Sequence, residues 1–340
     1  MEYRQLGASG LNVSVLSFGT ATFGGGNNFF KAWGDTNLQD AKRLINICLD
    51  AGVNLFDTAN SYSNGISEEI LGKALGNLRH KSLISTKVFE ATGDGPNDNG
   101  ASRFHIIEAC NASLKRLNTD HIDIYHLHNM DGSTPVEETL RALDDLVTSG
   151  KVRYIACSNF PGWHLMKSLA VSKTYGWSRY IGQQAYYSLL SREFEWELMP
   201  LGIDQNVGTM VWSPLSGGLL SGKFRKGEPP PQDSRLCQGG QFGPPVDSRR
   251  LFQIIDALDA VAEEVNKTVA QVALNWLLQR PTVSSIVIGA RNEQQLIENL
   301  GVLGWNLTVN QIKFLDSASK VTPIYPYWHN RQDTLPKFYK

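Results

Sequence analysis

Residues 15–26 read VLSFGTATFGGG, and this stretch distinguishes the two α/β folds that the rest of the chain would allow. Its first four residues predict a buried strand over residues 15–18. A doubly wound nucleotide-binding sheet would follow such a strand with the pattern Gly-x-Gly-x-x-Gly and then a helix. Here Gly19 is followed by Thr-Ala-Thr-Phe and only then by Gly24, Gly25 and Gly26, so the pattern is missing. The stretch therefore favours a closed barrel.

The second predicted strand, residues 53–56, supports the same choice. In a doubly wound sheet, an acidic residue that ends this strand would bind a ribose. Asp57 does end the strand, but Thr58 and Ala59 follow it, and a tyrosine comes at position 62. This context is not that of a ribose ligand, and the barrel remains the preferred fold.

Short apolar runs alternate with amphipathic stretches along nearly the whole chain, which indicates βα units and a parallel sheet. The predicted strands are residues 15–18, 53–56, 83–86, 122–127, 153–156, 180–183, 209–212 and 285–288. Helices are predicted over residues 38–51, 68–75, 104–117, 136–149, 164–174 and 195–205. Asn37 and Ser67 are predicted N-caps, and Gly52 and Gly150 are predicted to end helices. We therefore predict one α/β domain over residues 1–340, a (β/α)8 TIM barrel with a short N-terminal hairpin.

Two segments depart from the βα rhythm. Residues 222–246 contain Pro229-Pro230-Pro231, Gly239-Gly240 and Pro244-Pro245 and are too long for an ordinary βα loop, so we predict a functional excursion after the seventh strand. The tail over residues 319–340 is rich in aromatic residues and prolines around residues 322–329. That composition predicts an ordered segment that covers the pocket or forms a subunit contact.

Composition and charge exclude several classes of protein. The chain has 32 basic and 33 acidic residues and a formal net charge of −1, so no global field attracts nucleic acid or an anionic membrane. It shows neither a signal peptide nor an apolar run long enough to span a bilayer, which predicts a cytoplasmic protein. The cysteines Cys48, Cys110, Cys157 and Cys237 lie far apart, so neither a zinc site nor a disulfide framework is expected.

Polar and ionisable side chains follow three consecutive predicted strands. Asp57 and Tyr62 come after the second strand, Lys87 after the third and His128 after the fourth. Each alone has an ordinary explanation, because a strand-end aspartate is often a cap and a lone lysine or histidine is usually surface or satisfied core. Barrel enzymes carry their chemistry at the carboxyl ends of adjacent strands. The joint placement therefore predicts an active site without a metal.

The segments around these residues resemble the aldo-keto reductase superfamily. GVNLFDTANSY at residues 52–62 is similar to the family's Gly, Asp-Thr-Ala and Tyr pattern. ISTK at 84–87, IDIYHLH at 122–128 and RYIACSNF at 153–160 resemble its third, fourth and fifth strand ends. The resemblance extends over residues 3–318 in order. It implies an NADP(H)-dependent oxidoreductase that converts aldehydes or ketones and alcohols reversibly.

The chemistry expected of Asp57, Tyr62, Lys87 and His128 agrees with this reaction. Carbonyl reduction needs a proton donor, and a phenol with an ordinary pKa of about 10 needs a nearby cation to act as one. We expect Tyr62 to be the acid, Lys87 the cation, Asp57 the partner that orients Lys87, and His128 the hydrogen-bond donor to the carbonyl oxygen. Tyr62 could instead be an exposed loop aromatic, and His128 a buried histidine bonded to a backbone carbonyl. The role of His126 stays open.

The resemblance also implies where NADP(H) binds. Ser158, Asn159 and Gln184 would hold the nicotinamide carboxamide, Trp212 would stack on the ring, and the glycine-rich segment from residue 213 to Lys223 would approach the pyrophosphate. Arg291 would contact the 2′-phosphate or stack on adenine, and the following helix would contact adenine. The full set of implied cofactor positions is Gly19, Thr20, Ser158, Asn159, Gln184, Trp212, Ser213, Leu215, Gly217, Lys223, Gly289, Arg291, Gln295, Glu298 and Asn299.

The substrate is expected to be a small-molecule carbonyl compound or alcohol. Phe29, Phe30, Trp33 and Trp163 could line an aromatic pocket or pack against the barrel instead. A homo-oligomer is compatible with the sequence. Two other functions compete: a channel-associated or regulatory barrel with little turnover, and a metal-dependent hydrolase, for which only His128 and Asp57 could begin to supply ligands.

Overall fold

The computed structural model describes residues 1–232, 234–239 and 243–329. An antiparallel hairpin, β1 (Tyr3–Gln5) and β2 (Asn12–Ser14), precedes a closed barrel of eight parallel strands. In order around the barrel the strands are β3 (Leu16–Gly19), β4 (Leu55–Asp57), β5 (Leu83–Val88), β6 (Ile122–Leu127), β7 (Val152–Ser158), β8 (Tyr180–Tyr186), β9 (Gly208–Trp212) and β10 (Val283–Ile288), and β10 pairs with β3. The predicted TIM barrel and hairpin are confirmed.

Helices surround the barrel. They are α1 (Asn28–Lys31), α2 (Leu38–Asp50), α3 (Ile66–Leu75), α4 (Arg103–Leu117), α5 (Val136–Thr148), α6 (Gly162–Tyr175), α7 (Leu198–Gln205), α8 (Ser248–Val265), α9 (Val269–Leu278), α10 (Glu293–Leu300) and α11 (Val309–Ala318). Short 3-10 turns occur at Tyr62–Gly65, Gly76–Lys81, Glu193–Glu195 and Ser216–Gly218. Among the described residues, no helix is long and apolar enough to cross a membrane.

The helix ends follow the predicted capping residues with one exception. The Asn37 side chain accepts from the amides of residues 39 and 40, and Gly52 and Gly150 follow helix ends with φ of 84° and 77°. The prediction that Ser67 caps a helix was wrong. α3 begins at Ile66, directly after Gly65, so Ser67 lies inside the helix. The Ser67 hydroxyl donates instead to the backbone carbonyl of Thr20, so it ties α3 to the loop after β3.

The strands extend further toward the site than predicted. β5 continues to Val88, so Lys87 lies within the strand and not beyond it. β7 and β8 run to Ser158 and Tyr186, two and three residues beyond the ends predicted at 156 and 183. Polar side chains inside these strands look like loop residues in the sequence. They are tolerated there because neighbouring strands supply hydrogen-bond partners, as the contacts of Lys87 below illustrate.

The two ends of the barrel differ. At the amino ends of the strands, Leu6 and Val13 of the hairpin pack with Leu55, Ile124 and Met210, all fully buried. Apolar packing therefore closes this end. The carboxyl ends open into a cavity, and the functional residues must be sought there.

The two irregular segments lie differently with respect to that cavity. Described residues of the 222–246 excursion line it, including Lys223, Phe224 and Arg235. The described part of the tail, residues 319–329, contributes no residue to its lining. Tyr327 stacks on Trp196 with ring centroids 5.8 Å apart. The rest of the predicted tail, residues 330–340, lies outside the described residues.

Candidate active site

Strand register brings the predicted catalytic residues together. Asp57 at the end of β4 lies in register with Ser85 on β5, and Lys87 lies in register with His126 on β6. Lys87 Nζ lies 2.6 Å from Asp57 Oδ2 and 3.3 Å from Tyr62 Oη. The carboxylate, the ammonium and the phenol thus form one chain of contacts.

Asp57 and Lys87 are held from several sides. Asp57 Oδ1 accepts from the Ser85 hydroxyl at 2.8 Å and from Gln184 Nε2 at 2.9 Å. Lys87 Nζ also donates to the Thr58 carbonyl at 2.7 Å. The side chains of Lys87 and Asp57 are 0% and 3% exposed, so the ion pair is shielded from water. Such shielding strengthens the interaction and fixes its geometry.

The environment shifts the pKa of both Lys87 and Tyr62. Burial acts to lower the pKa of Lys87, but the Asp57 carboxylate and Tyr62 together hold it above its ordinary value. Burial raises the pKa of Tyr62, while the charge of Lys87 acts in the opposite direction. Lys87 therefore remains a cation at neutral pH. It opposes the effect of burial on the phenol, as expected from the sequence, but burial is the larger effect and the pKa of Tyr62 stays above its ordinary value.

His128 completes the group. Its ring centroid lies 5.9 Å from that of Tyr62, nearly perpendicular to it, and its backbone carbonyl accepts from Asn159 Nδ2 at 3.0 Å. Burial and the nearby charge of Lys87 place the pKa of His128 well below 6.5. At neutral pH the imidazole is uncharged. It can donate a hydrogen bond but does not act as a general acid.

His126 lies within β6, two residues before His128 and fully buried. Its Nδ1 lies 3.5 Å from the Cys157 carbonyl, and burial lowers its pKa to about 4. His126 is absent from the cavity lining. It therefore lies among core residues beneath the site, whereas His128 reaches the cavity.

One cavity of about 910 Å³ collects almost all the predicted site residues. Those that line it are Gly19, Asp57, Tyr62, His128, Ser158, Asn159, Gln184, Trp212, Ser213, Leu215, Gly217, Lys223, Gly289, Arg291, Gln295, Glu298 and Asn299. Lys87 lies behind Asp57 and Tyr62 and does not line it. Thr20 does not line it either, because its hydroxyl contacts the Asp57 carbonyl and Ser67 Oγ at 3.1 and 2.8 Å. Thr20 thus holds the β3 and β4 ends together.

The segment after β9 has the features of an anion-binding loop. Gly217 and Gly218 have φ of 68° and 99°, and a Cβ at either position would meet no heavy atom within 4 Å. Ser213 Oγ accepts from the Gly217 amide at 3.0 Å, which holds the loop in place. The backbone here is open on the cavity side, so a phosphate can approach it closely.

The residues expected around a nicotinamide bond to one another and to the catalytic group. Trp212 Nε1 donates to Asn159 Oδ1 at 3.0 Å. Gln184 Nε2 is directed at Asp57, so its amide links the cofactor region to the ion pair. Ser158 Oγ is buried and has no hydrogen-bond partner among the described residues. An unsatisfied hydroxyl on the cavity wall fits a position that contacts a carboxamide.

Cations collect on the cavity wall around Trp33. Arg291 donates from Nε to the Trp33 carbonyl at 3.0 Å and from Nη2 to the Ala32 carbonyl at 2.6 Å. Arg235 places its guanidinium over the Trp33 ring at 4.5 Å, and Lys223 also lines the cavity. Burial lowers the pKa of Arg235 to about 10, and the neighbouring charge of Arg291 adds to this effect. Two nearby guanidinium groups favour an anionic ligand.

Arg235 is a cavity residue that sequence reasoning missed. The excursion as a whole was predicted to be functional, but a single arginine in a proline- and glycine-rich loop has no distinguishing pattern. Arg225, closer to the glycine-rich segment, pairs instead with Asp259 on α8 at 2.9 Å and does not line the cavity.

Aromatic side chains form the wall near Tyr62. Phe30 lies 5.8 Å from Tyr62 between ring centroids, and Phe29 lies 5.3 Å from Trp33. All three loop aromatics line the cavity. Trp163, which was considered with them, is 60% exposed and lies outside the lining. The aromatic wall therefore comes from the loop after β3.

Fold and site together define a TIM-barrel protein with a buried lysine–carboxylate pair, a tyrosine and a neutral histidine beside a long cavity. The sequence profile of the Aldo/keto reductase family matches residues 15–320, and the chain belongs to this family.

Relatives carry two kinds of name. The chain is 38% identical over 312 residues to a probable voltage-gated potassium channel subunit beta of Oryza sativa subsp. japonica, covering 89% of this chain and 91% of the relative. It is 36% identical over 327 residues to the uncharacterized oxidoreductase YrpG of Bacillus subtilis, covering 93% and 95%. A putative voltage-gated potassium channel subunit beta of Schizosaccharomyces pombe is 35% identical over 334 residues, covering 95% and 94%. The family and the YrpG name support an oxidoreductase, and the other two relatives are named as channel subunits.

Proposed function

We propose that the chain is an NADPH-dependent reductase of small-molecule aldehydes or ketones that acts reversibly, with Tyr62 as the acid and base. The observation that carries this proposal is the Asp57–Lys87–Tyr62 chain, with contacts of 2.6 and 3.3 Å at the cavity edge. An ammonium held by a buried carboxylate beside a phenol is suited to proton transfer.

Bound NADPH would supply the hydride that the carbonyl carbon accepts. Tyr62 would donate its proton to the carbonyl oxygen, and Lys87 would stabilise the phenolate that remains. Asp57 keeps Lys87 protonated and directed at the phenol. His128 is uncharged at neutral pH and would donate a hydrogen bond to the oxygen as negative charge develops there.

The cavity residues divide along the cofactor. Ser158, Asn159 and Gln184 would hold the nicotinamide carboxamide, with Trp212 against the ring. Gly217 and its neighbours Ser213 and Leu215 would hold the pyrophosphate. The adenosine end would contact Gly289, Gln295, Glu298 and Asn299, with Arg291 and Lys223 on the 2′-phosphate; all these residues line the cavity. Arg235 lies against the same wall and would add a third cation.

The test is oxidation of NADPH in the presence of a generic aldehyde such as nitrobenzaldehyde. The loss of NADPH absorbance measures the rate. The proposal is supported if the wild type turns over the aldehyde and the variants Tyr62→Phe and Lys87→Met do not. Binding of NADPH without turnover of any carbonyl in a broad panel would refute it.

A second candidate function rests on the relatives named as channel subunits, which match over about nine-tenths of the chain. The chain would then bind a potassium channel, with NADPH as a sensed ligand. Co-purification with a channel together with absent turnover would favour this function over catalysis. Turnover without any channel would leave catalysis as the primary function.

A further inference from the structure

Tyr62 lies on a turn whose backbone requires support. The three residues that follow it, Ser63, Asn64 and Gly65, have φ of 49°, 56° and 90°. This left-handed region is unfavourable for serine and tolerated by asparagine and glycine. Consecutive residues in such a conformation persist only where the surroundings hold them. The position of the phenol therefore depends on what packs against this turn.

Two contacts hold the turn. Ser63 Oγ donates to the Phe23 carbonyl at 2.7 Å in a buried position. On the other side, the Arg116 side chain covers Gly65, since a Cβ at position 65 would lie 2.8 Å from Arg116 Cδ and 3.1 Å from its Nε. Arg116 comes from the last turn of α4. It thus reaches from a neighbouring helix to the turn that carries Tyr62.

Glu68 determines where Arg116 lies. Arg116 Nε donates to Glu68 Oε2 at 2.6 Å, and its Nη2 donates to Ser113 Oγ at 3.2 Å. Glu68 is fully buried in the first turn of α3. Its other oxygen, Oε1, accepts from the Thr86 hydroxyl at 2.5 Å. Thr86 directly precedes Lys87, and successive residues of a strand point to opposite faces. One carboxylate therefore joins the strand that carries the ammonium to the arginine that covers the tyrosine turn.

We propose that the Glu68–Arg116 ion pair is a positioning device that sets the placement of Tyr62 relative to Lys87. The inference rests on the proposed function for its catalytic consequence. Neither residue lines the cavity, so neither contacts the substrate or the cofactor. Without the pair, Glu68 no longer holds the Arg116 side chain over Gly65. The phenol then moves away from the ammonium, and the proton transfer slows.

The test compares two double variants that each remove an ion pair. Glu68→Gln with Arg116→Ala removes both charges and the side chain over Gly65, and it leaves no unpaired buried ion, which limits the effect on folding. The matched control is Asp123→Asn with Arg79→Ala. Arg79 Nη2 lies 2.8 Å from Asp123 Oδ2, a distance close to the 2.6 Å between Arg116 and Glu68. Asp123 Oδ2 also accepts from the Ile84 amide near the start of β5. It therefore holds the same strand at the end opposite the site.

We expect kcat of the Glu68/Arg116 variant to fall roughly ten- to a hundredfold, because a displacement of about 1 Å in a catalytic group can cost about a hundredfold. KM and the NADPH Kd should stay within about threefold, since cofactor contacts are untouched. The control variant should keep kcat within about twofold. This split separates positioning from general weakening of the fold.

A second measurement follows Tyr62 without cofactor or substrate. Ultraviolet difference titration of each variant against its Tyr62→Phe counterpart reports the pKa of this phenol. The charged groups that act on it are Lys87, Asp57 and Glu90. If the phenol moves away from Lys87, the cation lowers its pKa less. We therefore expect the pKa of Tyr62 to rise in the Glu68/Arg116 variant and to stay unchanged in the control.

Three results would overturn the inference: unchanged kcat and Tyr62 titration in the folded Glu68/Arg116 variant, an equal loss of kcat in the control, or a parallel loss of NADPH affinity. A wild type that turns over no carbonyl would refute the proposed function instead. In that case the Tyr62 titration alone decides whether the ion pair positions the phenol.

Discussion

At position 87 the chain buries a lysine completely inside a strand, and the ammonium lies 2.6 Å from the Asp57 carboxylate. A buried ammonium alone would lose its proton or destabilise the fold. Here the carboxylate, the Thr58 carbonyl and Tyr62 all contact it. The residue that would serve catalysis thus also depends on its partner for stability.

Lys87→Met should abolish carbonyl reduction and lower the free energy of unfolding by about 3–5 kcal/mol, because Asp57 would be left buried without its counter-ion. Adding Asp57→Asn should restore most of the stability and none of the activity. Urea unfolding and turnover of the same samples provide the comparison. If Lys87→Met alone is as stable as wild type, an unpaired Asp57 does not destabilise the fold.

His126 should make the fold sensitive to acid. Burial lowers its pKa from 6.5 to about 4, so the unfolded chain binds the extra proton between these values. The stability due to neutral His126 is complete above about pH 6.5 and is lost as the pH falls toward 4, a loss of about 3 kcal/mol. In His126→Gln, the free energy of unfolding should fall less steeply over this range. An identical slope would show that His126 is not the titrating group.

Residue identity alone could not locate these effects. The alternation of side chains along a strand predicts one face for His126 and His128, but β6 ends at Leu127, between them. His126 therefore stays in the core and His128 reaches the cavity. Lys87 was expected in a loop because charged residues rarely lie in central strands. Its partner Asp57 is distant in sequence and adjacent only through the register of β4 and β5.

Among the elements, the loop after β10 connects two parts of the cavity wall. Arg291 lines the cavity and also donates to the Ala32 and Trp33 carbonyls of the loop after β3. That loop supplies the aromatic wall beside Tyr62. Arg291 therefore links the loop after β10 to the loop that carries the aromatic wall.

Arg291→Ala should weaken NADPH binding roughly ten- to a hundredfold, or about 1.5–3 kcal/mol, and NADH binding much less, because only NADPH carries the 2′-phosphate. Fluorescence titration of both cofactors measures the difference. Arg225→Ala is the control, since Arg225 pairs with Asp259 away from the cavity. Equal losses for both cofactors would contradict phosphate binding and assign Arg291 to adenine or to the loop after β3.

Element boundaries show why the strands were easier to predict than the turns. Eight apolar runs identified all the barrel strands, because most residues of each strand are buried. The turn at Tyr62–Gly65 was not predicted, since its backbone depends on Arg116 and Phe23, which are far away in sequence. The helix predicted to start at residue 68 begins two residues earlier, at Ile66.

On the scale of the whole molecule, the apolar closure and the candidate site occupy opposite ends of one barrel. Leu6 is fully buried in the apolar cluster at the amino ends of the strands, while Asp57 and Lys87 lie toward the carboxyl ends. Substitutions at the apolar end should therefore lower stability without affecting the site.

Leu6→Ala should cost about 2–5 kcal/mol of unfolding free energy by leaving a cavity in the closed end of the barrel. Its kcat and KM should remain close to wild type at temperatures where it is folded. Urea unfolding and steady-state kinetics on one preparation test both expectations. A loss of kcat without a loss of stability would mean that the two ends are coupled.

Tyr62 is proposed to transfer the proton while other residues hold the cofactor. The most direct test of this role is the single-turnover rate of hydride transfer from NADPH to nitrobenzaldehyde in wild type and Tyr62→Phe, with the NADPH Kd measured for both. The phenol lies 3.3 Å from Lys87, and phenylalanine keeps the ring but removes the proton. We predict a rate loss of roughly a hundred- to ten-thousandfold with a nearly unchanged Kd. A rate within a few fold of wild type would contradict the account.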